Sequence, residues 1–207
     1  MRTRIKICGI TRVEDARVAA ESGADAVGMV FYAPSPRNVD LERAREIVAA
    51  IPPFVSIVGL FVDPAAEEVE SVLRACSLDL LQFHGDEAPD FCGAFGLPYL
   101  KAVRVKADTD LVQCLSPYQA ARAWLLDAYH EQLYGGTGES FDWKLVPRDL
   151  ARPLILSGGL TPDNVGAAVR QVRPWAVDVS SGVEAAKGIK DAAKIAAFIA
   201  GVKNEIA

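Results

Sequence analysis

Eight short apolar runs rich in β-branched residues alternate along this chain with longer, Ala-rich amphipathic stretches. Their starts recur at about 20 to 30 residues, the size of one strand-plus-helix unit. Strands joined through helices pair in parallel, and the helices cover the sheet they connect. The pattern predicts strands over residues 5–9, 26–31, 56–62, 78–83, 99–105, 124–127, 153–156 and 176–179. Helices are expected over 12–21, 41–50, 64–75, 162–171 and 191–203, with N-caps at Thr11 and Thr161 and a glycine stop at Gly23. Eight such units close into a (β/α)8 TIM barrel of the α/β class, one domain over residues 1–207. The alternative is an open, doubly wound sheet. That fold usually carries G-x-G-x-x-G after its first strand, where this chain has Cys8-Gly9-Ile10-Thr11.

Composition narrows the class of partner. A net charge of −5 argues against nucleic acid and against an anionic membrane surface. Cys8, Cys76, Cys92 and Cys114 form no C-x-x-C pair, which is neither a zinc nor a disulfide pattern and suits a reducing cytosol. No apolar h-region follows Met1-Arg2-Thr3-Arg4-Ile5-Lys6, and no window reaches the roughly 18 apolar residues of a membrane span. A cytoplasmic protein is expected.

Two glycine-bearing turns point to a phosphate. Ser157-Gly158-Gly159 and Ser180-Ser181-Gly182 each follow a strand-like run near the C-terminal end. Without a Cβ in the way, backbone N–H groups there can converge on an anion. The phosphate site of this barrel lies after its seventh and eighth strands, so the ligand should be a phosphorylated small molecule. The glycine-rich stretch 129–140, with Gly135-Gly136-Thr137-Gly138 and His130, is expected to be a loop over the mouth.

Candidate chemistry gathers at the C-terminal ends of the strands. Alternation puts Lys6 and Cys8 on one face of the first strand and Ile5 and Ile7 on the other. The apolar pair must pack on helices, which turns Lys6 and Cys8 inward. Cys8 is then either an inert buried thiol or a catalytic one. Asp127 ends the sixth strand, either as a loop-holding carboxylate or as a general acid facing Cys8 across the ring. Arg37, in the proline-stiffened segment Pro34-Ser35-Pro36-Arg37, is suited to bidentate capture of a carboxylate, or is an ordinary loop arginine. Asp178 shares an inward face with Ser180 and, on the strand beside Lys6, is placed to form a buried ion pair. His84 is read as a polar contact for substrate at the mouth. Metal ligation with Asp86 and Glu87 lacks a second histidine at ligand spacing, so no metal is expected.

In these residues the chain closely resembles the phosphoribosylanthranilate isomerases of tryptophan biosynthesis. The resemblance runs in order through Lys6-Ile7-Cys8-Gly9-Ile10-Thr11, Pro34-Ser35-Pro36-Arg37, Gln82-Phe83-His84-Gly85, Leu126-Asp127, Leu156-Ser157-Gly158-Gly159-Leu160 and Val177-Asp178-Val179-Ser180-Ser181-Gly182-Val183-Glu184. It implies a cofactor-free Amadori rearrangement of N-(5-phosphoribosyl)anthranilate. In that family Asp127 would be the general acid, Cys8 the base and Arg37 the anchor of the anthranilate carboxylate. The backbone around Gly158, Gly159, Ser181 and Gly182 would hold the phosphate. Ala186-Lys187-Gly188 departs from the family's usual proline-glycine turn. The related isomerase of histidine biosynthesis has aspartate in place of the strand-one cysteine, so Cys8 argues against that substrate. Two further readings are another sugar-phosphate barrel sharing only the phosphate grip, and a non-catalytic sensor. Loss of Cys8 or Asp127 would favour the sensor, and both are present. The working particle is expected to be a monomer or a homodimer, with no nucleic acid and no membrane.

Overall fold

A computed structural model describes residues 2–106, 109–128, 142–147 and 150–206. The expected loop over 129–140, with His130, lies outside the described residues. Eight parallel strands close in sequence order into a barrel: β1 (Arg4–Ile7), β2 (Ala26–Phe31), β3 (Ser56–Phe61), β4 (Leu80–Phe83), β5 (Tyr99–Val105), β6 (Ala123–Ala128), β7 (Leu154–Leu156) and β8 (Ala176–Val179). Outside them run α1 (Val13–Ser22), α2 (Leu41–Ala50), α3 (Ala66–Ala75), α4 (Pro89–Gly93), α5 (Leu111–Leu115), α6 (Val165–Val172) and α7 (Ala192–Lys203). Between β6 and β7 the described residues hold one 3₁₀ turn, Trp143–Leu145. A short antiparallel hairpin of β9 (Glu184–Ala186) and β10 (Ile189–Lys190) intervenes between β8 and α7. Among the described residues no helix is long and apolar enough to cross a membrane.

Strand alternation sorts the core as the sequence predicts. Ile5, Ile7, Val177 and Val179 point outward and join Ala16, Ala19, Ile195 and Phe198 of the helices in the main apolar cluster. Inside the ring, Val58, Leu100, Leu125 and Ile155 form a separate cluster. A third, of Cys8, Val30, Leu60 and Val62, stands at the C-terminal mouth. Each fully buried aliphatic side chain is worth about 1.5–3 kcal/mol of removal from water, so a register slip that reversed these faces would be strongly opposed.

Several element ends differ from expectation. Strand β1 stops at Ile7, although Cys8 N–H still donates to Val179 O at 2.8 Å. Gly9 then turns away at φ +71°, which only glycine adopts without strain. Leu78 lies outside β4, and the Asp79 carboxylate accepts Ile57 N–H at 2.7 Å. Neither threonine caps a helix. Arg12 precedes α1 without a side-chain cap, while the Thr11 hydroxyl donates to Gly188 O in the hairpin turn. Helix α6 begins at Val165 rather than Pro162, because Asn164 folds back to bond Thr161 N–H at 2.8 Å and Gly159 O at 2.8 Å. Gly23 does end α1, at φ +99°. The five-residue helices α4 and α5 are too short to leave a periodic signal.

Candidate active site

The mouth of the barrel is built around a buried charge on β1. Lys6 Nζ lies 2.9 Å from Asp178 Oδ1, with both side chains about 5% exposed. The two residues are register partners across the seam between β1 and β8, so the ion pair expected from strand order is present. Ser157 Oγ donates to the other Asp178 oxygen at 3.5 Å. Room for this arrangement comes from β2. A Cβ on Gly28 would stand 2.8 Å from Cys8 Sγ and 3.1 Å from Lys6 Nζ, closer than packed atoms tolerate.

Cys8 lies beside that pair. Burial pushes its thiol up, against the opposing pull of Lys6, while Asp178 adds to the rise. Burial works to discharge Lys6, but the Asp178 carboxylate and the Cys8 sulfur outweigh it and raise its pKa. Burial and Asp178 thus favour the protonated thiol, while Asp178 favours the ammonium of Lys6.

Across the mouth, β4 and β6 supply a different set. Gln82 Nε2 lies 3.1 Å from His84 Nδ1, and His84 Nε2 lies 3.1 Å from Asp127 Oδ2. Gln82 lies on β4 and His84 directly follows its last residue, so the extended chain turns both toward the mouth. The remaining Asp127 oxygen accepts the Ala128 amide at 3.0 Å. Cys8, Asp127, His84, Arg37, Asp178 and Ser180 all line one cavity of about 40 Å³. The base and acid candidates thus open into the same space.

Arg37 is already engaged. Its Nε and one terminal nitrogen grip both oxygens of Glu184, at 2.7 and 2.8 Å. The second terminal nitrogen takes no part in that pair. Lys190, on the hairpin, donates to Glu184 at 2.9 Å and to Ser180 O at 3.0 Å. Burial works to raise the Glu184 carboxyl, but bonds from Arg37 and the charge of Lys190 hold it below the usual range. Burial pushes Lys190 down, against Glu184. Sequence reasoning missed Glu184 and Lys190 as site residues. Their only signal was a pair of opposite charges six residues apart around a turn, a pattern common on surfaces.

The two glycine turns are pressed together. A Cβ on Gly182 would collide with the Leu160 carbonyl, and one on Gly158 with the Ala128 amide. Gly158 and Gly159 have φ +84° and +62°. Ser181–Val183 form a single 3₁₀ turn directly after Ser180. The backbone of both turns thus comes closer to its neighbours than any side-chain-bearing residue allows.

Glu87, three residues after His84, has a structural task. Glu87 accepts Lys101 Nζ at 2.7 Å and the amides of Asp63 and Gly85, which pins the loop after β4. Among the described residues no three His, Cys, Asp or Glu side chains gather to hold a metal.

Comparison with known proteins agrees with this geometry over nearly the whole chain. Residues 5–201 match the family model described as N-(5'-phosphoribosyl)anthranilate (PRA) isomerase. A protein of that name from Pseudomonas aeruginosa (strain LESB58) is 62% identical over 201 residues, 97% of this chain and 95% of its own. The crystal structure of phosphoribosyl anthranilate isomerase from Thermotoga maritima superposes with a TM-score of 0.90 at 45% identity, covering 98% of this chain and 99% of that one. A structure of the isomerase in complex with reduced 1-(o-carboxyphenylamino)-1-deoxyribulose 5-phosphate gives 0.87 at 44% identity, with the same coverage. Barrel, strand-end residues and glycine turns occur together and in order, and the chain belongs to the N-(5'-phosphoribosyl)anthranilate isomerase family.

Proposed function

We propose that the chain rearranges N-(5-phosphoribosyl)anthranilate to 1-(2-carboxyphenylamino)-1-deoxyribulose 5-phosphate without a cofactor, a step of tryptophan biosynthesis in the cytoplasm. The observation that carries this reading is the single cavity into which Cys8, Asp127 and Arg37 open, beside the turn residues Ser157 and Ser180. The phosphate docks on the backbone of Gly158, Gly159, Ser181 and Gly182, with Ser180 at its edge. Arg37 takes the anthranilate carboxylate while Glu184 keeps hold of its other side. Anchoring both ends fixes the labile aminal between acid and base, an orientation effect.

Asp127 gives its proton to the ribose ring oxygen. The C1–O bond breaks with its electrons going to oxygen, and the nitrogen lone pair forms the C1=N iminium. That iminium is a cation beside Cys8, and an adjacent cation favours the thiolate. Ring opening therefore helps to arm the base. Cys8 gives its own proton to solvent and, as thiolate, removes the C2 proton, giving an enolamine that takes a proton at C1 and loses the hydroxyl one to become the ketone. Lys6 and Asp178 fix the electrostatics of the thiol, with Asp178 also bordering the substrate, and His84 meets it from the acid side.

Purified protein mixed with freshly made phosphoribosylanthranilate should abolish anthranilate-type fluorescence. Fluorescence that decays no faster than in buffer refutes the reading. Sedimentation in the same buffer separates a working monomer from a homodimer.

A further inference from the structure

A general acid must hold a proton when its substrate arrives. An ordinary aspartic acid, with a pKa of about 3.9, is roughly one part in a thousand protonated at neutral pH. On the reading that Asp127 is the acid, its bonded neighbours decide where that proton is kept. We propose that His84 and Asp127 form one proton-holding unit, and that Gln82 is the positioning residue that selects which imidazole nitrogen carries the hydrogen.

The geometry leaves Gln82 in control. In the orientation found, the Gln82 Nε2 amide donates to His84 Nδ1, which must then be bare. Nε2 of the imidazole carries the hydrogen and donates it to Asp127 Oδ2. That state belongs to an ionised Asp127, as it stands after delivering its proton. Turning the amide by half a revolution puts Gln82 Oε1 against Nδ1, which must now bear hydrogen. Nε2 is then free to accept the hydrogen of a protonated Asp127, or both ring nitrogens are protonated and face the carboxylate. Either form holds the proton that the ring oxygen needs.

Gln82 is fully buried, and in the orientation found its Oε1 has no hydrogen-bond partner among the described residues. Reversal satisfies Oε1 and strands Nε2 instead. Each orientation leaves one amide end unmet, so neither is locked. A buried amide end left without a partner is uncommon and calls for a reason. The charged groups facing the unit from neighbouring elements are themselves engaged: Asp178 with Lys6, Arg37 with Glu184, and Arg104, the register partner of Asp127 on β5, with Asp86 at 3.7 Å. Cys8 and Tyr32 are the other titratable side chains lining the cavity.

The test combines histidine ring nitrogen spectra with kinetics. The chain has two histidines, so the signals lost in His84→Asn identify His84. In unliganded protein at neutral pH, Nδ1 should carry a hydrogen, and the ring nitrogen signals should change in Asp127→Asn. Gln82→Met should keep its melting temperature and its affinity for a product analogue. Its kcat should fall about 10–100-fold, the usual cost of losing an orienting partner, with a displaced pH profile and unchanged KM. Gln82→Glu, whose carboxylate favours the doubly protonated ring, should recover turnover and extend it to higher pH. Should Gln82→Met fail to fold, the wild-type and Asp127→Asn spectra still decide. Identical His84 spectra in those two proteins overturn the proposal, as do equal losses in both Gln82 variants at every pH. Normal turnover by Asp127→Asn would instead remove Asp127 as the acid. An inactive Asp127→Asn with an unaffected Gln82→Met removes only the relay.

Discussion

The two sides of the barrel mouth are built from opposite materials. On the β1–β8 side, Cys8 stands among charges: Lys6 at its side, Asp178 beyond, and Lys190 acting on it from the hairpin. On the β4–β6 side, Asp127 bonds an imidazole and a backbone amide, and the imidazole leans on a neutral amide. A neighbouring cation favours the anionic form of any acid. That helps a thiol that has to lose its proton and would cripple a carboxyl that has to keep one. The acid and base roles proposed for Asp127 and Cys8 call for just such opposite surroundings a few side chains apart.

Breaking either side should give different signatures. The largest effect is expected for Asp127→Asn, which keeps the shape and removes the proton. Turnover should fall by about 10²–10⁴-fold, the worth of one positioned acid, while affinity for a product analogue holds. An analogue titration beside the rate assay checks both halves. Lys6→Met comes next. It leaves Asp178 buried without its partner, which costs about 3–5 kcal/mol of stability, read from denaturant midpoints. It also removes the nearest cation from Cys8, whose thiol is already raised by burial. The thiol should move further up, so alkylation by iodoacetamide should need a more alkaline solution, as should turnover. A thiol titration unchanged by Lys6→Met would erase the contrast between the two sides.

Gly28→Ala probes the crowding on the base side alone. The added methyl meets Cys8 and Lys6 and should cost about 1–3 kcal/mol, seen in thermal melts, with turnover falling through displacement of the thiol. The smallest effect is expected for Glu184→Gln, read as pH dependence. The Glu184 carboxyl is held below its ordinary value in the folded protein. Its contribution is therefore complete above the unfolded value of about 4.3 and disappears as pH drops through the folded one. Wild-type stability should decline more steeply than the variant's from about pH 5 to pH 3, in urea midpoints taken across that range.

Much of this was legible in the residues because strand alternation is a two-state code. Ile5 and Ile7 had to face helices, so Lys6 and Cys8 had to face inward, and neighbouring strands then brought Lys6 to Asp178. The ring order likewise put Asp127 opposite Cys8. Loops follow no such code. Thr11 reads as a cap by composition yet bonds the carbonyl of Gly188, far along the chain, and Asn164 overrides Pro162 through two local bonds. The fork of Arg37 reads as free for a ligand, whereas Glu184 fills one side of it. That partner stands 147 positions away, on a hairpin whose fold depends on contacts with the barrel. Gln82 and His84 could be placed on one face, but their link to Asp127 needed the rotamers.

The pairing of Lys6 with Asp178 spans 172 positions across the barrel's closing seam. During synthesis the first strand leaves the ribosome early and its lysine has no counterion until nearly the entire polypeptide has emerged. A nascent chain halted before the eighth strand could gather most of its sheet and still lack the setting that tunes the sulfur. The charged setting of Cys8 therefore forms only when the last strand of the ring joins the first.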